Sequence, residues 1–285
     1  QDFGPARGES GCIRDPMLRT RVLTGLILGA LLLLGLFLLP PFWAVLAFGL
    51  VFTIGAWEWA GFGALRKPLA RALYTLIIAL TLALAWRWTD DSSQLIVLLS
   101  AACAWWVIAF FWLALAPAWN RPALTLVCGL AVLAPAFVAL ARLQISAGFA
   151  RGPLIVLWLV LMVCAADIGA YFAGRAFGQR KLAPRVSPGK TWEGAVGGLA
   201  MVALVAAGGA LYFGLPPLIV VVFGGGVGIF SVIGDLTESM FKRAAALKDS
   251  GTLLPGHGGL LDRIDSVTAA APLYALGLFG SGVIR

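Results

Sequence analysis

The stretch "LKDSGTLLPGHGGLLDRID", Leu247 to Asp265, gathers Lys248, Asp249, Asp262, Arg263, Asp265 and the chain's only histidine, His257, among four glycines. Asp262 and Asp265 are spaced i, i+3, so on a helix both carboxylates point the same way. Just upstream, Asp235, Glu238, Ser239 and Lys242 fall at i, i+3, i+4 and i+7, a polar face among apolar neighbours. Asp235, Asp262 and Asp265 offer hard oxygen donors with no thiol or histidine cluster, which favours Mg²⁺ over zinc. Mg²⁺ keeps water and substrate phosphate in its shell, and the nearby cations suit those phosphates. The glycines let the backbone bend and approach closely where charges converge.

A second segment, "DIGAYFAGRAFGQRKLAPRVSPGKTWEG", carries compatible chemistry. Asp167, Tyr171 and Arg175 share a helix face. Lys181, Arg185 and Lys190 then project from a Pro/Gly-broken loop and suit a polyphosphate. "SPGKT" is not a P-loop, because Pro184 stands where the Walker pattern requires glycine. It fits a helix start, with Ser187 or Thr191 as cap and Glu193 in the first turn. Such a start also binds phosphate. Asp167 and Asp235 lie in apolar runs, where an uncompensated carboxylate costs several kcal/mol. Each is a candidate for function or for a structural ion pair, Arg175 being a partner for Asp167. Glu58, near a helix end in "GAWEWAGF", stands alone and is left unassigned.

The elements that position these residues must be membrane helices. Hydrophobic residues are 61% of 285 and charged residues 12%, against about 25% charged in soluble domains. Continuous apolar runs of bilayer length argue for helices and against strands. The expected fold is all-α, a polytopic transmembrane bundle of about nine spans: 22–40, 42–65, 70–88, 94–115, 122–141, 153–173, 192–214, 216–240 and 266–283, with eight as the alternative. Residues 1–16 form a polar extension, with Met17 a candidate start. Residues 17–152 are N-terminal spans. Residues 153–285 form the catalytic region, with loops 174–191 and 241–265. Alternating the spans puts 17 of the 21 basic residues on one side and 4 on the other, which makes the richer side cytosolic and attractive to anionic lipids. Both charged loops fall there. Cys12, Cys103, Cys128 and Cys164 have no metal-ligand spacing.

At Ser239, Lys242, Arg243, Lys248, Asp249, Pro255, His257, Gly258, Gly259, Asp262, Arg263 and Asp265 the chain closely resembles the phosphatidate cytidylyltransferases, or CDP-diacylglycerol synthases. The 165–195 segment is similar to their other recurrent stretch. The resemblance implies that CTP and phosphatidate give CDP-diacylglycerol and pyrophosphate, at the cytosolic face of a bacterial inner membrane. It implies Mg²⁺ on Asp235, Asp262 and Asp265, with Asp167 a weaker ligand for a second cation. Lys190, Lys242, Arg243, Lys248 and Arg263 would hold phosphates, as would Arg175 and Lys181. Ser187, Thr191 and Ser239 would make polar contacts, and Asp249 joins the catalytic set. His257 is expected to organise the loop or donate to phosphate rather than act as a base, because a phosphate monoester is already anionic above its second pKa of ~6. No nucleic-acid partner is expected, and a homo-oligomer is left open. Rival readings are another CTP-dependent lipid-phosphate transferase or lipid kinase, and a cation transporter.

Overall fold

The computed structural model describes residues 16–118, 121–146, 148–280 and 284. The polar extension expected over 1–16, with Cys12, thus lies outside the described residues but for Pro16. Nine helices are present among the described residues: α1 (Pro16–Leu38), α2 (Pro41–Phe62), α3 (Pro68–Trp88), α4 (Ser92–Leu115), α5 (Pro122–Ser146), α6 (Gly148–Phe177), α7 (Trp192–Phe213), α8 (Pro217–Ala244) and α9 (Leu261–Gly280). Of these, α2 to α7 are each long and apolar enough to cross a membrane, and the chain is an integral membrane protein.

Local chemistry sets the helix boundaries. Proline opens α2, α3 and α8, where a missing N–H costs no intrahelical bond. Asp91 caps α4 by accepting from the Ser93 N–H. Thr191 caps α7, its Oγ1 accepting from the Gly194 N–H at 3.1 Å, so of the two expected caps Thr191 is the one used. Gly214, at φ 67°, ends α7 in the left-handed conformation.

The 174–191 connection, expected as a loop in an all-α fold, carries local order of its own. The first residues stay in α6 to Phe177, and the remainder forms an antiparallel hairpin, β1 (Lys181–Ala183) with β2 (Ser187–Thr191). Periodicity could not reveal a strand built from "SPGKT", because its pairing depends on the turn through Pro184 and Arg185. Trp192 N–H closes the base of the hairpin on the Arg180 carbonyl at 2.9 Å.

Large apolar side chains such as Leu69, Leu84, Leu204 and Leu211 face outward, as lipid contact requires. Inward, Trp59, Trp106, Phe241 and Tyr274 are almost fully buried. Trp59 Nε1 donates to the Thr125 carbonyl at 2.7 Å, and its ring lies 5.3 Å from Phe241, locking α2 and α5 against α8. Small residues let helices touch where the site lies. A Cβ added to Gly198 of α7 would sit 2.7 Å from the Ala166 carbonyl of α6. One added to Gly234 of α8 would sit 2.7 Å from the Asp265 carbonyl of α9. That second contact brings Asp235 beside Asp265.

On the opposite side, Arg142 donates to Asp90 at 2.8 Å and to the Trp86 carbonyl at 2.7 Å, with its guanidinium 4.0 Å from the Trp86 ring centre. The hydrogen bond from Arg142 holds the Asp90 carboxyl below the usual carboxylate range. Arg87 pairs with the same Asp90 at 3.1 Å. Two of the four basic residues on the poorer side are thereby structural pairs.

Candidate active site

Four elements converge on one group of charges. Lys190, at the end of β2, places its ammonium on Asp235 Oδ2. Ser239, one turn along α8, donates to Asp235 Oδ1 at 3.3 Å. Asp265 of α9 stands close enough to Asp235 for the two carboxylates to repel, and Asp167 of α6 also feels Asp235. Asp265 Oδ1 accepts from its neighbour Ser266 N–H at 2.6 Å, leaving Oδ2 without a donor among the described residues. The ion pair suggested between Asp167 and Arg175 is absent among the described residues. Arg175 Nη1 donates instead to Tyr171 Oη at 3.1 Å.

A second group lies a turn further toward the loops. Lys242, on α8, sits between Asp262 Oδ1 at 2.6 Å and Glu238 Oε1 at 3.1 Å. Its side chain is 11% exposed, that of Asp262 6% and that of Glu238 4%. Asp262 Oδ2 accepts from the Ser250 and Gly259 N–H groups, both at 2.9 Å. Both Asp262 oxygens are therefore taken by protein donors, and the Lys242 ammonium is enclosed rather than free for a phosphate.

The expected three-carboxylate metal cage is not assembled. Among the described residues, no group of three or more His, Cys, Asp or Glu could hold a metal ion. Asp235 and Asp265 approach each other, while Asp262 turns to Lys242. Mg²⁺ characteristically uses only one or two carboxylates, completing its shell with water and substrate phosphate. The Asp235–Asp265 pair, like-charged with an open oxygen on Asp265, suits that role. Asp262 does not.

The 245–260 segment is shaped by its backbone. His257 N–H donates to the Leu254 carbonyl, and Leu254 N–H to the Gly258 carbonyl, both at 2.9 Å. Gly258 takes φ 80°, and a Cβ there would lie 2.8 Å from Asp262 Oδ2. Among the described residues the His257 ring has no hydrogen-bond partner on Nδ1, so none of them there orients it as the third group of a histidine base would. Lys248, Asp249 and Arg263 are exposed. Arg243 reaches the Val186 and Leu247 carbonyls at 3.5 and 3.4 Å, tying hairpin to loop. Lys181 and Arg185 are exposed on the hairpin and Ser187 is partly buried within it.

Glu58, which no sequence motif singled out, is also part of this region. It is 5% exposed and accepts from Ser250 Oγ, Leu260 N and Leu261 N. Only its isolation as an acid inside an apolar run marked it in the sequence.

Two adjoining cavities open at the site. One, of about 390 Å³, is lined by Asp167, Tyr171, Arg175, Lys190 and Thr191. The other, of about 500 Å³, is almost wholly apolar, with Arg185 its one charged lining residue. They share Leu182, Ala195 and Val232. A separate apolar cavity of about 480 Å³ lies between α2, α3 and α5, and no charged residue lines it.

Residues 19–279 match the model of a family described as the cytidylyltransferase family. Among similar proteins, the phosphatidate cytidylyltransferase of Haemophilus influenzae is 40% identical, covering 91% of this chain and 98% of the relative. The protein of the same name from Pseudomonas aeruginosa is 41% identical, covering 93% and 98%. That of Brucella suis is 34% identical, covering 93% of each.

Proposed function

The chain belongs to the cytidylyltransferase family, and on that footing we propose that it converts CTP and phosphatidate to CDP-diacylglycerol and pyrophosphate at the cytosolic membrane surface. The observation that carries this reading is the junction of the two cavities. The first offers Lys190 and Arg175 to phosphate groups, and the second is an apolar groove that adjoins it across Leu182, Ala195 and Val232. A substrate that is a phosphate at one end and hydrocarbon at the other fits that junction. A lipid-free nucleotide would leave the groove unused.

The chemistry needs positioning more than proton transfer. A phosphatidate oxygen attacks the α-phosphorus of CTP in line, a new P–O bond forms, and the bond from that phosphorus to the bridging β-phosphate oxygen breaks. The leaving electron pair goes to pyrophosphate. The attacking oxygen carries no proton above pH ~6, so no base is required. Lys190, freed from Asp235 by the arriving polyanion, and the exposed Lys181, Lys248 and Arg263 attract and align phosphates. Mg²⁺ held by Asp235 and Asp265 would supply charge neutralisation for the leaving pyrophosphate. Lys242 and Asp262 brace the two helices that carry those carboxylates. His257, whose Nδ1 is buried without a hydrogen-bond partner among the described residues, organises the glycine loop in this reading.

Purified protein in detergent micelles containing phosphatidate, with labelled CTP and Mg²⁺, should release labelled CDP-lipid and equimolar pyrophosphate. EDTA should stop the reaction and added Mg²⁺ restore it. Transfer of the γ-phosphate instead, giving CDP and a phosphorylated lipid, would replace this reading with a lipid kinase.

The cytosolic placement has its own test. With the native cysteines replaced, a single cysteine at the exposed positions Gln179 or Leu253 should react with an impermeant thiol reagent from the cytosolic side alone. Labelling from the other side would separate the site from CTP and sink the proposed topology.

A further inference from the structure

We propose that Glu58 of α2 is a positioning residue that clamps the 250–261 segment and the first turn of α9 into working geometry. This rests on the reading of that segment as part of the cytidylyl-transfer site. The carboxylate is 5% exposed, and three donors from far along the chain meet it. Ser250 Oγ and Leu261 N lie 2.9 and 2.8 Å from Oε2, and Leu260 N lies 3.0 Å from Oε1.

No cation pairs with it within 4.0 Å among the described residues. A buried carboxylate without a cation is tolerable only where donors fully satisfy it. Here two of them are N–H groups at the start of α9, which have no partner within their own helix and sit at its positive dipole end. The packing is specific to the carboxylate. A Cβ on Gly251 would stand 2.6 Å from Oε1, and one on Gly259 2.6 Å from Oε2. Two of the four glycines in this stretch thus make room for an acid supplied by another helix.

The clamp reaches the charged groups through Ser250. The same hydroxyl that donates to Glu58 accepts from the Asp262 N–H at 3.3 Å, and the Ser250 N–H donates to Asp262 Oδ2. Asp262 in turn holds Lys242. Glu58 therefore sets where Asp262 and the α9 turn bearing Asp265 stand, without touching substrate.

Glu58→Gln places an amide NH₂ against an N–H donor and breaks one arm of the clamp. Hydrogen exchange at amides 250–262 should accelerate by about tenfold or more, with α4 and α5 unchanged. Measured well below the melting temperature, kcat should fall at least about tenfold while KM for CTP changes less than about threefold. Ser250→Ala keeps both α9 N–H bonds and the Ser250 N–H bond to Asp262, and removes the hydroxyl that joins Glu58 to the Asp262 N–H. It should show the same kcat-weighted loss, smaller in size, and the double variant should lose less than the sum. If Glu58→Gln does not fold, Ser250→Ala carries the test alone. Unchanged exchange across 250–262 would overturn the clamp, and a loosened segment with wild-type kcat would overturn its role in turnover. Should the wild type make no CDP-lipid, the functional reading fails while the exchange measurement still decides the clamp.

Discussion

Asp235→Asn is expected to lower kcat by about a hundred- to a thousandfold, the cost of removing one preorganised charge from a site that works by electrostatics. Asp235 is the carboxylate that most of the site addresses. Lys190 from the hairpin and Ser239 from its own helix bond to it, while Asp265 and Asp167 lie near enough to feel its charge. An amide at this position is a poorer metal ligand and leaves Lys190 without its counter-charge. The Mg²⁺ concentration for half-maximal rate should therefore rise as well. The side chains of Lys190 and Asp235 are 29% and 27% exposed, so water softens the loss and folding should survive. Activity within tenfold of wild type, at unchanged Mg²⁺ dependence, would remove Asp235 from the proposed metal pair.

Lys242→Met should act through stability first. The ammonium pairs with two carboxyl groups whose side chains are nearly inaccessible, Glu238 and Asp262. Removing one member of such a buried set leaves uncompensated charge and costs about 3–5 kcal/mol. For a chain of this size that corresponds to a melting temperature lower by on the order of 10 °C. Adding Glu238→Gln removes one of the stranded charges and should recover part of the loss. A Lys242→Met protein that melts with the wild type would show that water or another cation already reaches this pair. Were Lys242 simply a phosphate ligand, the same variant would lose CTP affinity at unchanged stability.

The two outcomes separate roles that sequence spacing could not. Lys190 and Lys242 are both lysines in charged segments on paper. In the folded chain one closes a half-open carboxylate at the mouth of a cavity, and the other is walled in between α8 and α9. Asp262 and Asp265 likewise look equivalent at i, i+3. The turn through Gly258 and Gly259 directs two N–H groups of the 250–259 segment at Asp262, which diverts it from Asp265.

The sequence by itself determined the membrane fold and the approximate spans, and it showed where the charged residues cluster. Hydropathy and the bias of basic residues act locally, so each span declares itself without knowledge of its neighbours. The acids and cations around 235–265 were legible for the same reason, since charge in an apolar chain is costly and must be accounted for. What only the tertiary structure decided is which charges meet. Glu58 acquires a role because α2 packs against α8 through Trp59 and Phe241, bringing its carboxylate to donors some 200 residues away. The "SPGKT" strand exists because a hairpin pairs it with Lys181–Ala183. Asp235 and Asp265 approach because Gly234 lets α9 touch α8. Hydrogen bonds and ion pairs are short-range, so a sequence lists the groups able to form them, while the packing of helices chooses the pairs.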